Sequence, residues 1–202
     1  MPGSIKIDDG SGNYTILTNA GSLGSDKTLT IPNETATLAT TNGITEADQW
    51  RITADYTLGS MADMTSNWER NDTSGNGVPI GTGLTESSGV FSFSSTGKYL
   101  ITITGQFSSA GEYLGRYALN ISTDNYSSND TCMWVFGNGG WQSGSTQLPQ
   151  TASNSFVFDV TSTSTHKFKL RAGVLTSSTT TKLQGSTDEQ YTGFTVIRLG
   201  DT

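Results

Sequence analysis

The sequence predicts an all-β protein, a sandwich of many short strands without a convincing helix. Three observations carry that expectation. Roughly three residues in ten are Ser or Thr, and 24 of 202 are glycine, a mixture of β-branched strand formers and turn residues. Only 14% of residues are charged, while 9% are aromatic, enough to build a core rather than leave the chain disordered. The clearest periodicity is two. In residues 98–107, Tyr99, Ile101, Ile103 and Phe107 fall on one side of an extended chain.

Taken in order, residues 4–7, 13–18, 28–31 and 36–40 read as short strands, each with two or three apolar side chains. Such a segment buries too little surface to fold alone, so residues 1–41 are expected to form a small β base that is folded only when packed on other copies. Thr41, Asn42 and Gly43 break the pattern, and residues 42–49 read as a linker or helical turn. From Trp50 the strands become longer and richer in aromatics: 50–58, 90–93, 98–107, 113–121, 132–136, 155–160, 166–172 and 193–199. Residues 50–202 therefore form a separate head, a sandwich or jelly roll. Its expected core is Trp50, Phe91, Phe93, Tyr99, Phe107, Phe156, Phe158 and Phe194.

Composition also excludes functions. The net charge is −7 and no Lys/Arg cluster exists, so a nucleic-acid partner is not expected. No apolar run approaches the ~20 residues of a membrane span, and residues 1–10 lack the apolar stretch of a signal peptide. The single cysteine, Cys132, permits no intrachain disulfide. The single histidine, His166, lies between Thr165 and Lys167 in a strand pattern and reads as a surface residue. No HExxH, paired-cysteine zinc or GxSxG pattern is present. A glycosidase needs two carboxylates about 5–10 Å apart, and no spacing in the sequence singles out such a pair. The chain is therefore expected to be non-enzymatic and to need no cofactor, with calcium as the open exception. Asp124, Asp130 and Asp188 are candidate oxygen ligands on loops.

The sharpest binding expectation falls on residues 134–145. Trp141 sits among Asn138, Gln142 and glycines. A flat apolar ring flanked by amides suits the C–H faces and hydroxyls of a sugar. Tyr126 and Tyr113, in loop-like surroundings, offer the same chemistry. The alternative role for each is packing under a loop or between copies.

Two stretches carry a family resemblance. Gly89-Val90-Phe91 followed by Gly97-Lys98-Tyr99-Leu100-Ile101, and the terminal Tyr191-Thr192-Gly193-Phe194-Thr195-Val196, resemble the globular heads of the complement q-subcomponent and tumour necrosis factor families. The resemblance spans residues 50–202 and implies a ten-stranded jelly roll assembled as a tight homotrimer, in which the core aromatics named above are expected to hold both each head and the three-fold axis. Ahead of it, Leu29-Thr30-Ile31-Pro32 through Thr37-Leu38-Ala39-Thr40-Thr41 resembles a segment that recurs in bacteriophage tail-fibre and virion proteins. Together these imply a trimeric virion protein, made in the host cytoplasm without a signal peptide. It would be a fibre or spike joined to other phage structural proteins through residues 1–41, its heads binding a host-surface glycan or protein by avidity. A capsid decoration or head-fibre protein is the alternative in the same class. A glycan-degrading spike enzyme is the alternative in another.

Overall fold

The computed structural model describes residues 4–8, 11, 14–18, 43–71, 77, 79–109, 114–138, 140–142, 146–175 and 181–202. For residues 4–8, 14–18, 140–142, 146 and 147 the description is of the backbone. The chain divides into two compact units, Met1–Thr40 and Thr41–Thr202.

In the first unit, β1 (Ser4–Asp8) and β2 (Tyr14–Thr18) form an antiparallel hairpin, with Ile5 opposite Leu17 and Ile7 opposite Thr15. The expected strands at 28–31 and 36–40, and the phage-like segment, lie outside the described residues.

The second unit is all-β, two antiparallel sheets forming a sandwich. Its strands are β3 (Ala47–Ile52), β4 (Tyr56–Thr57), β5 (Ala62–Asp63), β6 (Trp68–Arg70), β7 (Thr85–Ser87), β8 (Val90–Ser92), β9 (Gly97–Ser108), β10 (Gly115–Ser122), β11 (Asp130–Gly137), β12 (Gly140–Gln142), β13 (Thr146–Leu148), β14 (Gln150–Val160), β15 (Lys167–Val174), β16 (Lys182–Leu183) and β17 (Gly193–Gly200). The smaller sheet joins β11, β10, β15, β8 and β7 in that order, with β5 also against β15. The larger runs β4, β16, β9, β17, β3, β6, with β14 on the remaining edge of β9. The chain passes from β8 to β9, from β9 to β10, from β11 to β14, from β14 to β15 and from β15 to β17 by changing sheets. These repeated crossings wind the strands into a jelly roll.

The alternation that predicted β9 is the alternation that builds the core. Tyr99, Ile101, Ile103 and Phe107 are fully buried, while Leu100, Thr102, Thr104 and Gln106 face outward. Phe91 centres an aromatic cluster. It stacks on Phe168 at 5.1 Å and meets Phe194, Trp50 and Trp68 edge-on at 4.6, 5.3 and 5.3 Å. Such pairs add directional preference to area burial. Of the eight expected core aromatics, seven are buried within the single chain and Phe156 is half-buried against them. Trp68, which the sequence did not mark as core, is the fifth member of the cluster.

Residues 42–49 depart from expectation. From Ala47 they are strand, paired to β17. Glu46 and Asp48 look like solvated linker residues, yet both are buried. Donors from distant sequence satisfy them. Tyr99 Oη and Ser95 Oγ donate to Glu46 at 2.8 and 2.5 Å, and Ser94 Oγ adds a further bond. Asp48 accepts from Trp50 Nε1, the Leu84 backbone N–H and Arg70 Nε. A buried carboxylate survives only when saturated in this way. The expected strand 50–58 is also interrupted, ending at Ile52 and resuming at Tyr56.

Candidate functional site

Along β11, Met133, Val135 and Gly137 point into the core. The intervening Trp134, Phe136 and Asn138 therefore share the outward side. Trp134 and Phe136 have nearly parallel rings, their centroids 6.1 Å apart and their planes tilted by 18°. Phe136 is 45% exposed. The Arg116 guanidinium, on the neighbouring β10, lies 5.6 Å from the Trp134 ring centre and donates to the Val174 carbonyl at 2.9 Å. Asn154 Nδ2 donates to the Trp134 carbonyl at 3.3 Å, tying the edge strand β11 to β14. The Asn138 backbone N–H donates to Gln150 Oε1 at 2.9 Å, and Asn138 itself is exposed. The result is a row of two flat rings and an amide on a strand, held from both sides. Apolar platforms of this kind, rimmed by amides, suit a sugar face or a partner's apolar side chain.

The sequence-predicted residues divide between two places. Asn138 ends the β11 row, and Trp141 and Gln142 follow it in β12, where Trp141 opposes Gln147 of β13. The side chains of Trp141 and Gln142 lie outside the described residues, as does Tyr113. Tyr126 is elsewhere. Gly137 opposes Gly115 at one end of β10, and Asp130 opposes Ile121 at the other. Tyr126 belongs to the second end, separated from Asn138 by the length of the ladder, roughly 20 Å. Trp134 and Phe136 fall within the expected binding stretch 134–145, but the sequence singles out Trp141 there and not these two. Their i, i+2 spacing put them on one face, but nothing in the local sequence says that this face looks outward.

Tyr126 sits in a tightly bonded loop. Ser122 Oγ accepts from the Tyr126 backbone N–H at 2.7 Å, and the Asn125 N–H donates to the Thr165 carbonyl at 3.0 Å. Asn125 and Tyr126 both have left-handed backbones, with φ of 58° and 65°, which is uncommon for a bulky residue. Lys169 Nζ lies 4.4 Å from the Tyr126 ring centre. Burial pushes the Tyr126 hydroxyl upward in pKa.

Of the calcium candidates, Asp124 has its carboxylate engaged within the loop. It accepts from Ser128 Oγ and N–H at 2.6 and 3.0 Å and from Ser122 Oγ at 2.9 Å. The Ser128 hydroxyl is the largest cause that lowers its pKa. Asp130 and Asp188 are exposed. Among the described residues no three His, Cys, Asp or Glu side chains gather as a metal site would require. Cys132 Sγ donates to the Leu119 carbonyl at 3.6 Å, and burial pushes its thiol up to about 11, far from a reactive thiolate. His166 is buried rather than on the surface, stacked at 5.7 Å on Phe158 and flanked by the Thr161 and Thr165 hydroxyls.

No protein-family model and no curated sequence matches this chain. Solved structures do. Eiger TNF from S. frugiperda superposes with a TM-score of 0.53 at 11% identity, covering 77% of this chain and 93% of its own. Murine APRIL at pH 5.0 gives a TM-score of 0.52 at 10% identity, covering 76% and 99%. The head has the tumour necrosis factor-like jelly-roll fold. Identity at this level establishes the fold and no more. Both superpositions span nearly the whole of the compared chain, so the similarity covers a complete sandwich rather than a shared hairpin.

Proposed function

We propose that this chain is a non-enzymatic, homotrimeric virion protein of a bacteriophage, a fibre or spike whose heads bind the host surface. The observation that carries the trimer is the outward face of the larger sheet. Ile80, Ala47, Ile197, Leu100 and Val157 stand in register across five segments, an apolar row. Ile80 and Val157 are 46% and 51% exposed. On one side of it the rows are uncharged and satisfy themselves across strands; on the other, exposed Lys98 stands opposite exposed Asp159, a pair of opposite charge. Gln49 Nε2 donates to Thr195 Oγ1 at 2.9 Å, Thr102 and Ser155 share a bond of 2.8 Å, Thr104 donates to Ser153 at 3.2 Å, and Gln106 to Thr151 at 3.2 Å. A face whose polar groups are already paired can be buried against copies of itself without stranding a donor.

The virion part of the reading rests on the resemblance of residues 29–41 to tail-fibre segments. The opposite sheet, with Trp134, Phe136 and Asn138, supplies the platform for a host glycan or protein, and three such platforms on one particle bind by avidity. Gold-labelled antibody on intact phage particles, viewed by electron microscopy, tests this. Label on the tail or its fibres is the expected result. Label over the head would make the chain a capsid decoration protein, and unlabelled particles would overturn the virion reading.

A further inference from the structure

A cavity of about 360 Å³ opens on the outward side of the smaller sheet, lined by Thr85, Ser87, Ser92, Asn125, Tyr126 and Lys167 among others. That volume lies at the lower end of ordinary ligand sites, roughly 300–1,000 Å³. Its floor is set by register. Thr85 opposes Ser92, and Ser92 opposes Lys167, so three polar side chains form one row across β7, β8 and β15. Phe91 and Phe168, on the other side of the same strands, are buried and stacked. The floor is therefore anchored by the core. The wall is the Asn125–Tyr126 loop, which its hydrogen bonds to Ser122 and Thr165 hold in the left-handed conformation.

Charge decides what fits. Of the carboxylates around the cavity only Asp63 is paired with cations; Asp124 and the lining residue Glu86 are held by neutral donors, and Glu86, opposite Phe91, alternates away from the Thr85–Ser92–Lys167 row. Glu86 Oε1 accepts the Gly89 N–H at 2.6 Å, closing the β7–β8 hairpin. Asp124 is engaged by Ser122 and Ser128, and Asp63 by Lys169 and Arg171 at 2.7 and 2.8 Å. Lys167 differs. Its Nζ donates to the neutral Asn125 Oδ1 at 2.5 Å, and among the described residues it has no ion-pair partner. On a chain of net charge −7, this is an ammonium bonded to a neutral amide, on the polar row of the floor, beside three hydroxyls and an aromatic ring.

We infer that this cavity is a saccharide site selective for a sugar bearing a carboxylate. Lys167 meets the carboxylate, Thr85, Ser87, Ser92 and Asn125 meet ring hydroxyls, and Tyr126 offers apolar contact. A single ammonium matches a singly charged carboxylate and leaves a phosphate dianion undercompensated. The inference names a ligand class for the surface-binding head proposed above, but at a site distinct from the β11 platform.

The test is saturation-transfer NMR and titration of the full chain with N-acetylneuraminic acid and glucuronic acid, against glucose and N-acetylglucosamine. Both acids should bind, with the neutral sugars at least about tenfold weaker. Lys167→Gln should weaken acid binding about tenfold, Lys167→Arg should retain it, and Ser92→Ala should reduce it a few-fold with an unchanged fold. Phe136→Ala should leave it intact. Equal binding of acids and neutral sugars, or none at millimolar concentration, overturns the inference. So does acid binding that survives Lys167→Gln. Loss of binding in Phe136→Ala with retention in Lys167→Gln would move the sugar to the platform, overturning this site while the surface-binding reading stands.

Discussion

Gly193 has no room for a side chain, because a Cβ there would overlap the Trp50 carbonyl oxygen of the paired strand. Gly193→Ala should push β17 off β3 and lower stability by about 2–4 kcal/mol, read by chemical denaturation. Asp48→Ala should cost a similar amount, about 3–5 kcal/mol, because it strands Arg70 and the Trp50 and Leu84 donors together. A full-stability Asp48→Ala protein would contradict the buried-network account. Phe136, by contrast, is half outside. Phe136→Ala should leave the unfolding midpoint nearly unchanged and weaken attachment to host cells about tenfold or more. These residues differ in how legible they were. Gly193-Phe194 stood out as a pattern. The roles of Glu46 and Asp48 did not, because their donors are up to 53 residues away, and local sequence cannot report a partner that only topology supplies.

At the scale of elements, long strands with strict alternation were readable and short ones were not. Strand β9 followed from its own apolar period, whereas Trp68–Arg70 and Thr85–Ser87 have three residues each and exist because β3 and β8 lie beside them. The Tyr99 hydroxyl ties β9 to Glu46, just ahead of β3, the Tyr117 hydroxyl ties β10 to the Gly193 carbonyl of β17, and the two give the sandwich an alkaline limit. Burial raises Tyr99 from 10.0 to about 12 and raises Tyr117 well above 10.0. A raised folded-state pKa means that the stabilisation is complete below pH 10 and is lost as pH climbs through the folded value. Circular dichroism should therefore record the unfolding temperature falling steeply between pH 10 and 12. A flat profile across that window would show that these hydroxyls ionise freely. Asp124 works in the opposite sense, since its lowered pKa makes the 122–128 loop tighter at neutral pH than at acid pH.

The whole molecule puts its two sheets to different uses. The smaller carries rings, amides and cations outward; the larger turns outward an apolar row, with uncharged, internally paired rows on one side of it and the Lys98–Asp159 pair on the other. The sequence could say that the aromatics from Trp50 onward fill a β sandwich; it did not say that Ala47–Gln49, read as linker, belong to the first strand of that sandwich. It could not say which polar Thr and Ser residues align, since Thr102 and Ser155 meet across 53 residues of chain. Burial of Tyr99 and Phe194 inside one protomer leaves contact between copies to the outward rows. The most direct test is the native mass of the 21.4 kDa chain and of Leu100→Asp and Thr102→Lys at micromolar concentration. The wild-type mass should be three times that of the chain, and both variants should be monomers with unchanged far-UV spectra. A wild-type monomer, or trimers that persist with a charge at both positions, would contradict it.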